Sequence, residues 1–199
     1  MSYHAHAFVD GGYVTRLARD AKMSLVDPYS LAMKIVTDPI VRGWASPGFS
    51  RPDAVVVEET VLTRVTYYDG RPDDDSETPE ETREYWSAIE RLPDTALGFG
   101  TLRGKRSHQP RQKSVDTLMA VDMLVGAFTG IFSLAVLVSG DADFVPVVDE
   151  VRRRGVEVIV AAGLKHLSQE LRDAGDRFVQ LNLTGSDFPA LKLGERTWH

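Results

Sequence analysis

The stretch LAVLVSGDADFVPVVDEVRRRG, residues 134–155, joins an apolar run, two carboxylates and a helical pattern without a break. Its first part, LAVLVSG, is typical of a strand buried on both faces of a parallel sheet. Its last part predicts a helix with Pro146 in the first turn and Gly155 as its terminator. Asp141 and Asp143 lie between the two. Two like charges this close repel each other, so a helix cap or a divalent cation is expected to neutralise them.

Short apolar runs alternate with helical patterns along the rest of the chain, which is typical of an α/β domain with a central, mainly parallel sheet. HAFVD predicts a first strand that ends at Asp10, and β-branched and aromatic residues predict a second at 60–68. We expect further strands in TALGFGTLRG, VEVIVAA and VQLN. We expect helices in SLAMKIVTDPIVRGWA, EETREYWSAIERL, SQELRDAGDRF and, with Ser114 as its cap, SVDTLMAVDMLVGAFTG.

The domain organisation follows from these patterns and from the length of 199 residues. We expect a single domain over residues 1–185, without an internal repeat. DGRPDDDSETPEE predicts an acidic loop insertion near 69–84, and residues 186–199 are expected to form an irregular tail.

Composition excludes several functional classes. The chain has no cysteine, which excludes disulfides, thiolate zinc sites and cysteine nucleophiles. The N-terminus lacks the pattern of a signal peptide, and no segment is apolar enough to span a bilayer. We therefore expect a cytoplasmic protein without membrane contact. The net charge of −6 argues against a generic nucleic-acid coat but leaves a local basic patch open.

Carboxylates are expected to gather at one edge of the sheet. Ligands of open parallel sheets bind at the carboxyl ends of the strands, where the strand order reverses. Asp10 ends the first strand, and Asp141 and Asp143 end the central one; Asp116 lies in the first turn of the helix that precedes the central strand. Four acids at one edge would make an oxygen-ligand site suited to Mg²⁺ or Mn²⁺.

Each acid also has a purely structural interpretation. Asp143 is placed to cap the following helix, and Asp10, before two glycines, is placed to shape a tight turn. Asp116 is favourable at a helix N-terminus whatever its role. Asp122 is surrounded by apolar residues on its helix and needs a partner, so we expect it to orient a neighbour rather than to bind metal directly.

The segment at residues 103–113 is basic in a chain that is otherwise acidic. It is either a solvated loop or a surface that holds a phosphate backbone beside the acids. The residues expected to bind the backbone in the second case are Lys105, Arg106, Arg111 and Lys113.

Five pieces of the chain together resemble the NYN domain, in particular its LabA-like branch within the PIN-like nuclease superfamily. They are AFVDGGYV, VTYYDG, KSVDTLMAVDMLV, LAVLVSGDADFVPVVDEVRRRGVEVIVAA and LSQELRDAGDRFVQL, in this order. The resemblance implies a PIN-like three-layer α/β/α sandwich with an acidic cleft that binds Mg²⁺ or Mn²⁺. It also implies metal-dependent endonuclease activity, most often on RNA.

The resemblance carries over to individual positions. The family's acidic positions correspond to Asp10, Asp116, Asp141 and Asp143, which are the expected catalytic residues and metal ligands. Asp122 matches a second recurrent acid on the helix, and Ser139 matches the small polar residue before the final pair. One departure is Gly12, where many relatives have Asn.

The expected function is therefore hydrolysis of RNA phosphodiester bonds by a metal-dependent endoribonuclease. The first alternative is a regulatory protein of the same fold, catalytically weak or inactive, that binds RNA or a protein partner. A homodimer is also compatible with the sequence. A toprim-type phosphotransferase site is less favoured, because it needs a Glu where this chain has Asp10.

Overall fold

A seven-stranded sheet forms the centre of the molecule. The computed structural model describes residues 2–23, 25–38, 59–72, 78–103, 111–112 and 114–182. The strands are β1 (Ser2–Asp10), β2 (Glu59–Pro72), β3 (Thr95–Arg103), β4 (Arg111–Gln112), β5 (Leu134–Val138), β6 (Glu157–Ala162) and β7 (Arg177–Gln180). The helices are α1 (Gly11–Asp20), α2 (Pro28–Thr37), α3 (Glu80–Ile89), α4 (Val115–Thr129), α5 (Val145–Arg153) and α6 (Gln169–Ala174).

The strand order is β4-β3-β2-β1-β5-β6-β7, and only the short β4 is antiparallel to its neighbour. The chain adds strands on one side of β1 up to β4 and then crosses to β5 on the other side. The order therefore reverses between β1 and β5, at the position where such sheets bind ligands. This arrangement confirms the predicted α/β fold with a mainly parallel sheet.

Two hydrophobic clusters cover the two faces of the sheet. One joins α1, α2 and α3 to side chains such as Val9, Tyr67 and Val136. The other joins α4, α5 and α6 to Phe8, Tyr68 and Leu137. Because successive side chains of a strand point to opposite faces, neighbours such as Tyr67 and Tyr68 belong to different clusters. Three layers result, as in a PIN-like sandwich.

Helix α1 is the main element that the sequence patterns missed. The structure has no isolated tight turn after Asp10, because α1 begins at Gly11 and Asp10 is its N-cap. A side chain at position 11 would approach the Tyr67 ring and the Tyr68 carbonyl oxygen to 2.6 Å. Glycine therefore lets the helix start directly against β2, which explains why a pair of glycines opens a helix here.

Other boundaries differ from the predicted ones. Strand β2 continues to Pro72 and α3 begins at Glu80, so both ends of the predicted insertion at 69–84 are regular structure; residues 73–77 lie outside the described part. Ser114 precedes α4 but does not cap it with its side chain. Its φ is +82°, and its hydroxyl instead accepts a hydrogen bond from the Thr101 backbone N–H.

The C-terminal part is described as far as residue 182. Strand β7 begins two residues earlier than VQLN predicts. It follows two residues after α6, which is shorter than the predicted helix. The predicted tail at 186–199 lies outside the described residues. The part of the predicted helix SLAMKIVTDPIVRGWA that follows residue 38 lies outside them as well. Within the described residues, no helix is long and apolar enough to cross a membrane.

Candidate functional site

Asp10 lies at the point where the strand order reverses. Strands β1 and β5 are parallel neighbours, with Val9 paired to Val138, so the residues that follow both strands meet at one edge. One Asp10 carboxylate oxygen accepts a 2.9 Å hydrogen bond from the Tyr13 backbone N–H. The other accepts a 3.1 Å bond from the Ser139 hydroxyl. The Asp10 carboxylate is therefore fixed by α1 and by the end of β5 together.

Burial makes this carboxylate costly to ionise. Desolvation raises the pKa of Asp10 from 3.8 to about 6, against the opposing effect of the hydrogen bonds from Tyr13 and Ser139. The charge of Asp116 raises this pKa further, and that of Arg16 lowers it. Asp10 thus interacts electrostatically with an acid on α4 and with a cation on α1.

Asp116 connects Asp10 to the other two acids. It lies half-buried in the first turn of α4, and burial raises its pKa first, followed by the negative charges of Asp141 and Asp143. Like charges raise a carboxyl pKa only at short range, because water screens them over longer distances. The carboxylates from β1, α4 and the turn after β5 therefore share one edge of the sheet.

The capping role belongs to Asp141 rather than to Asp143. A 3-10 turn at Ala142–Phe144 leads into α5, and Asp141 caps it by accepting a 3.0 Å hydrogen bond from the Asp143 backbone N–H. The Asp141 N–H in turn donates to the Ser139 hydroxyl at 3.4 Å. Both carboxylates are exposed, so the turn presents them to solvent beside Asp116.

The four acids interact through their charges without converging on one point. Among the described residues, no three acidic or histidine side chains are arranged as a common metal-ligand set. The backbone brings the acids to one edge, and a shared cation would require their side chains to turn toward one another.

Asp122 has a partner on β2. The Tyr68 hydroxyl donates a 2.9 Å hydrogen bond to its carboxylate. Tyr68 is fully buried and stands opposite Asp10 in the pairing of β1 with β2. Burial and then the charge of Asp122 hold the pKa of Tyr68 far above its ordinary value, so the phenol remains a donor. Sequence reasoning did not select Tyr68, although it ends the aromatic run VTYY.

A backbone contact fixes the turn that carries Ser139 and Asp141. The Gly140 carbonyl accepts a 2.9 Å hydrogen bond from the Ser168 N–H. A side chain at Gly140 would lie 1.7 Å from the His166 carbonyl oxygen. The segment after β6 therefore packs directly on the acidic turn. Tyr13 secures the start of that segment, because its hydroxyl accepts a 2.9 Å bond from the Gly163 N–H.

The predicted RNA-binding cations are mostly beyond the described residues. Lys105, Arg106 and Lys113 lie outside them, and Arg111 is described only through its backbone, which pairs with Arg103 in the antiparallel β3–β4 ladder. Sequence reasoning missed Arg16, which is exposed on α1 and whose charge acts on Asp10. No sequence pattern singled it out, because helix α1, which places it near Asp10, was itself not predicted.

Comparison with known proteins supports the fold and the family. A protein of unknown function from Vibrio parahaemolyticus, VPA0982, has a similar structure, with a TM-score of 0.64 and 19% identity over 94% of this chain and 96% of that one. No curated protein sequence matches the chain. The sequence model of the NYN domain, a member of the PIN-like nuclease superfamily, matches residues 7–182. Because this match includes both strands and the helix that carry the acids, the chain belongs to the NYN domain family.

Proposed function

We propose that the protein is a metal-dependent endoribonuclease of the LabA-like branch, which hydrolyses RNA phosphodiester bonds at the edge formed by Asp10, Asp116, Asp141 and Asp143. The observation that carries the proposal is the electrostatic coupling of these acids across three separate elements at the point where the strand order reverses. Partly buried carboxylates with raised pKa values, such as Asp10 and Asp116, are a common feature of functional sites.

The donor set fits Mg²⁺ or Mn²⁺. All four candidates are carboxylates, and the neighbouring Ser139 adds a hydroxyl; oxygen donors of this kind are preferred by these cations. Their mutual repulsion and the desolvation of Asp10 and Asp116 would be relieved by a divalent cation. We assign Asp10, Asp116, Asp141 and Asp143 as the residues that would hold it.

The chemistry is hydrolysis that leaves a 5′-phosphate and a 3′-hydroxyl. The bound cation would supply an acidified water and charge stabilisation for the phosphate. The chain's own residues fix its position: the Tyr13 N–H and the Ser139 hydroxyl orient Asp10, and the contact of Gly140 with the segment after β6 holds the Asp141 turn. The Tyr68–Asp122 pair supports β2 beside Asp10.

We propose that cationic side chains bind the RNA backbone. Arg16 is exposed within electrostatic range of Asp10, and helix side chains lean toward the N-terminus, so its guanidinium extends toward the first turn of α1. We assign the same role to Lys105, Arg106, Arg111 and Lys113. Affinity for RNA is then expected to fall as the salt concentration rises, because each phosphate contact releases counterions.

A non-catalytic regulatory protein that binds RNA or a protein partner is the second candidate function. The observation that favours it is Gly12, which stands where many similar domains have Asn and offers no polar side chain above the first turn of α1. The net charge of −6 also weakens general attraction to RNA.

Cleavage of a labelled single-stranded RNA with Mn²⁺, Mg²⁺ or EDTA tests the proposal. The comparison is between wild type, Asp141→Asn and Asp173→Asn, an exposed acid on α6 that serves as the control. We expect metal-dependent cleavage that Asp141→Asn abolishes and Asp173→Asn leaves intact. Equal inertness of wild type and Asp141→Asn would favour the regulatory protein. Products with a 2′,3′-cyclic phosphate would contradict the hydrolytic mechanism.

A further inference from the structure

The outer face of α4 and the turn after it expose large hydrophobic side chains. Among the described residues six such side chains are exposed, and four of them lie here: Val121 (47% exposed), Val125 (55%), Phe128 (55%) and Ile131 (61%). We call these four residues the α4 stripe. Scattered exposed hydrophobic residues are normal on a protein surface, but a contiguous apolar patch usually marks an interaction site.

The stripe is not needed for the packing of α4 within the domain. Val121, Val125 and Phe128 follow one another at intervals of four and three, so they form a single row along the helix, and Ile131 lies two residues beyond its end. Val115, Met119 and Met123 are fully buried on the opposite side, where α4 packs on β3 and α5. The helix is therefore apolar on both sides, which is expected when a partner covers the second one.

Helix α4 itself contributes almost no charge to this face. From Thr117 to Ile131 the sequence contains one ionisable side chain, Asp122, and its carboxylate is engaged by the Tyr68 hydroxyl. The chain as a whole carries a net charge of −6, so two copies repel each other over most of their surfaces. An uncharged apolar row is a surface through which two copies meet without bringing like charges together.

The two ends of α4 carry opposite charges. Asp116 lies at the N-terminal end, beside Asp141 and Asp143. At the C-terminal end Arg153 and Arg154 share one carboxylate partner, Glu150, which leaves a net positive charge there. The Arg154 guanidinium lies 3.7 Å from the centre of the Phe128 ring, which itself belongs to the stripe. An antiparallel crossing of two α4 helices brings the acidic end of each toward the basic end of the other. A parallel crossing brings like charges together.

We propose that the α4 stripe is the interface of an isologous homodimer in which the two α4 helices cross in antiparallel orientation. A two-fold interface requires a patch that is complementary to itself, and a straight apolar row with opposite charges at its ends meets this requirement. The proposal does not depend on the nuclease function, because the apolar row and the charges at its ends require neither a bound metal nor catalysis.

Molar mass measured by light scattering during size-exclusion chromatography tests the interface, over a range of concentrations. We expect wild type to approach twice the chain mass of 22.0 kDa and Val125→Glu to remain at the monomer mass. Leu164→Glu is the matched control, since Leu164 is 56% exposed but lies after β6, away from the stripe. It should dimerise like wild type, and circular dichroism should show that all three proteins are folded.

A monomeric wild type at every concentration would overturn the proposal, as would a Val125→Glu variant that still dimerises. If wild type is monomeric and Val125→Glu lowers the melting temperature, the stripe is covered by another part of its own chain and the proposal is wrong.

The absence of cysteine allows the orientation to be tested separately. In an antiparallel crossing, Val121 of one copy faces Phe128 of the other. Mixing the Val121→Cys and Phe128→Cys variants and oxidising them should give mainly the mixed disulfide. Mainly same-variant disulfides would overturn the antiparallel arrangement.

Discussion

Tyr68 and Asp122 form a 2.9 Å hydrogen bond that ties β2 to the middle of α4, one strand away from Asp10. The phenol is fully buried and the carboxylate half-buried, so water is not an alternative partner for the Tyr68 hydroxyl. The bond therefore fixes the distance between the strand that neighbours Asp10 and the helix that carries Asp116.

Removal of this hydroxyl should destabilise the protein. In Tyr68→Phe the Asp122 carboxylate loses its donor, and we expect the free energy of unfolding in urea to fall by about 1–3 kcal/mol. A double-mutant cycle with Asp122→Asn isolates the pair, because the second substitution should cost less once Tyr68 is gone. Strictly additive effects would mean that the bond contributes nothing.

Asp10 should be a destabilising residue at neutral pH. Its pKa is raised to about 6 in the folded protein against 3.8, so the folded state binds the proton more tightly. The stability that this proton provides is complete below pH 3.8 and is lost as the pH rises through about 6. In metal-free buffer at pH 8 we expect Asp10→Asn to raise the free energy of unfolding by up to about 3 kcal/mol, since the pKa rises from 3.8 to about 6 and each pKa unit is worth about 1.4 kcal/mol.

The comparison of Asp10→Asn with wild type at pH 3.5 is the control. There both side chains are neutral, and the difference in urea midpoint should vanish. A destabilised Asp10→Asn at pH 8 would show that the hydrogen bonds from Tyr13 and Ser139 outweigh the cost of burying the charge.

His6 should make the protein sensitive to mild acid. Burial, and then the charge of Arg64, lower the pKa of His6 from 6.5 to about 4, so the unfolded chain binds the proton first as the pH falls. Stability is complete above pH 6.5 and declines toward pH 4, by up to about 3 kcal/mol. Urea unfolding between these pH values should show a steeper decline for wild type than for His6→Gln. Equal slopes would contradict the assignment.

Gly140→Ala should disrupt the acidic turn. The new methyl group would lie 1.7 Å from the His166 carbonyl oxygen, which is backbone and cannot rotate away. We expect a loss of about 2 kcal/mol or more in the free energy of unfolding, in the range of severe packing strain. Gly130→Ala is the matched control: it has φ +67° but nothing within 4 Å, so only the conformational cost of about 1 kcal/mol applies. Equal losses would exclude a steric origin.

The central part of the fold follows from sequence patterns because the strands there are continuous apolar runs. The runs LAVLVSG and HAFVD predict β5 and β1. The aspartates at the ends of these two strands, Asp10, Asp141 and Asp143, predict the edge at which the acids gather. Helix α1 escaped prediction because two glycines indicate a turn in isolation; the close approach to Tyr67 that makes glycine necessary appears only in three dimensions. Tyr68 was missed for the same reason, since its partner Asp122 lies 54 residues away in sequence.

The position of β1 in the middle of the sheet has a consequence for biosynthesis. Strand β1 pairs Ala5 with Leu134, so one of its two neighbouring strands is made 129 residues later. Such distant pairing slows folding, because a long loop must close before the contact stabilises the chain. A nascent chain carries Asp10 without Ser139 to orient it, and the acidic edge is assembled only after synthesis has passed Asp143.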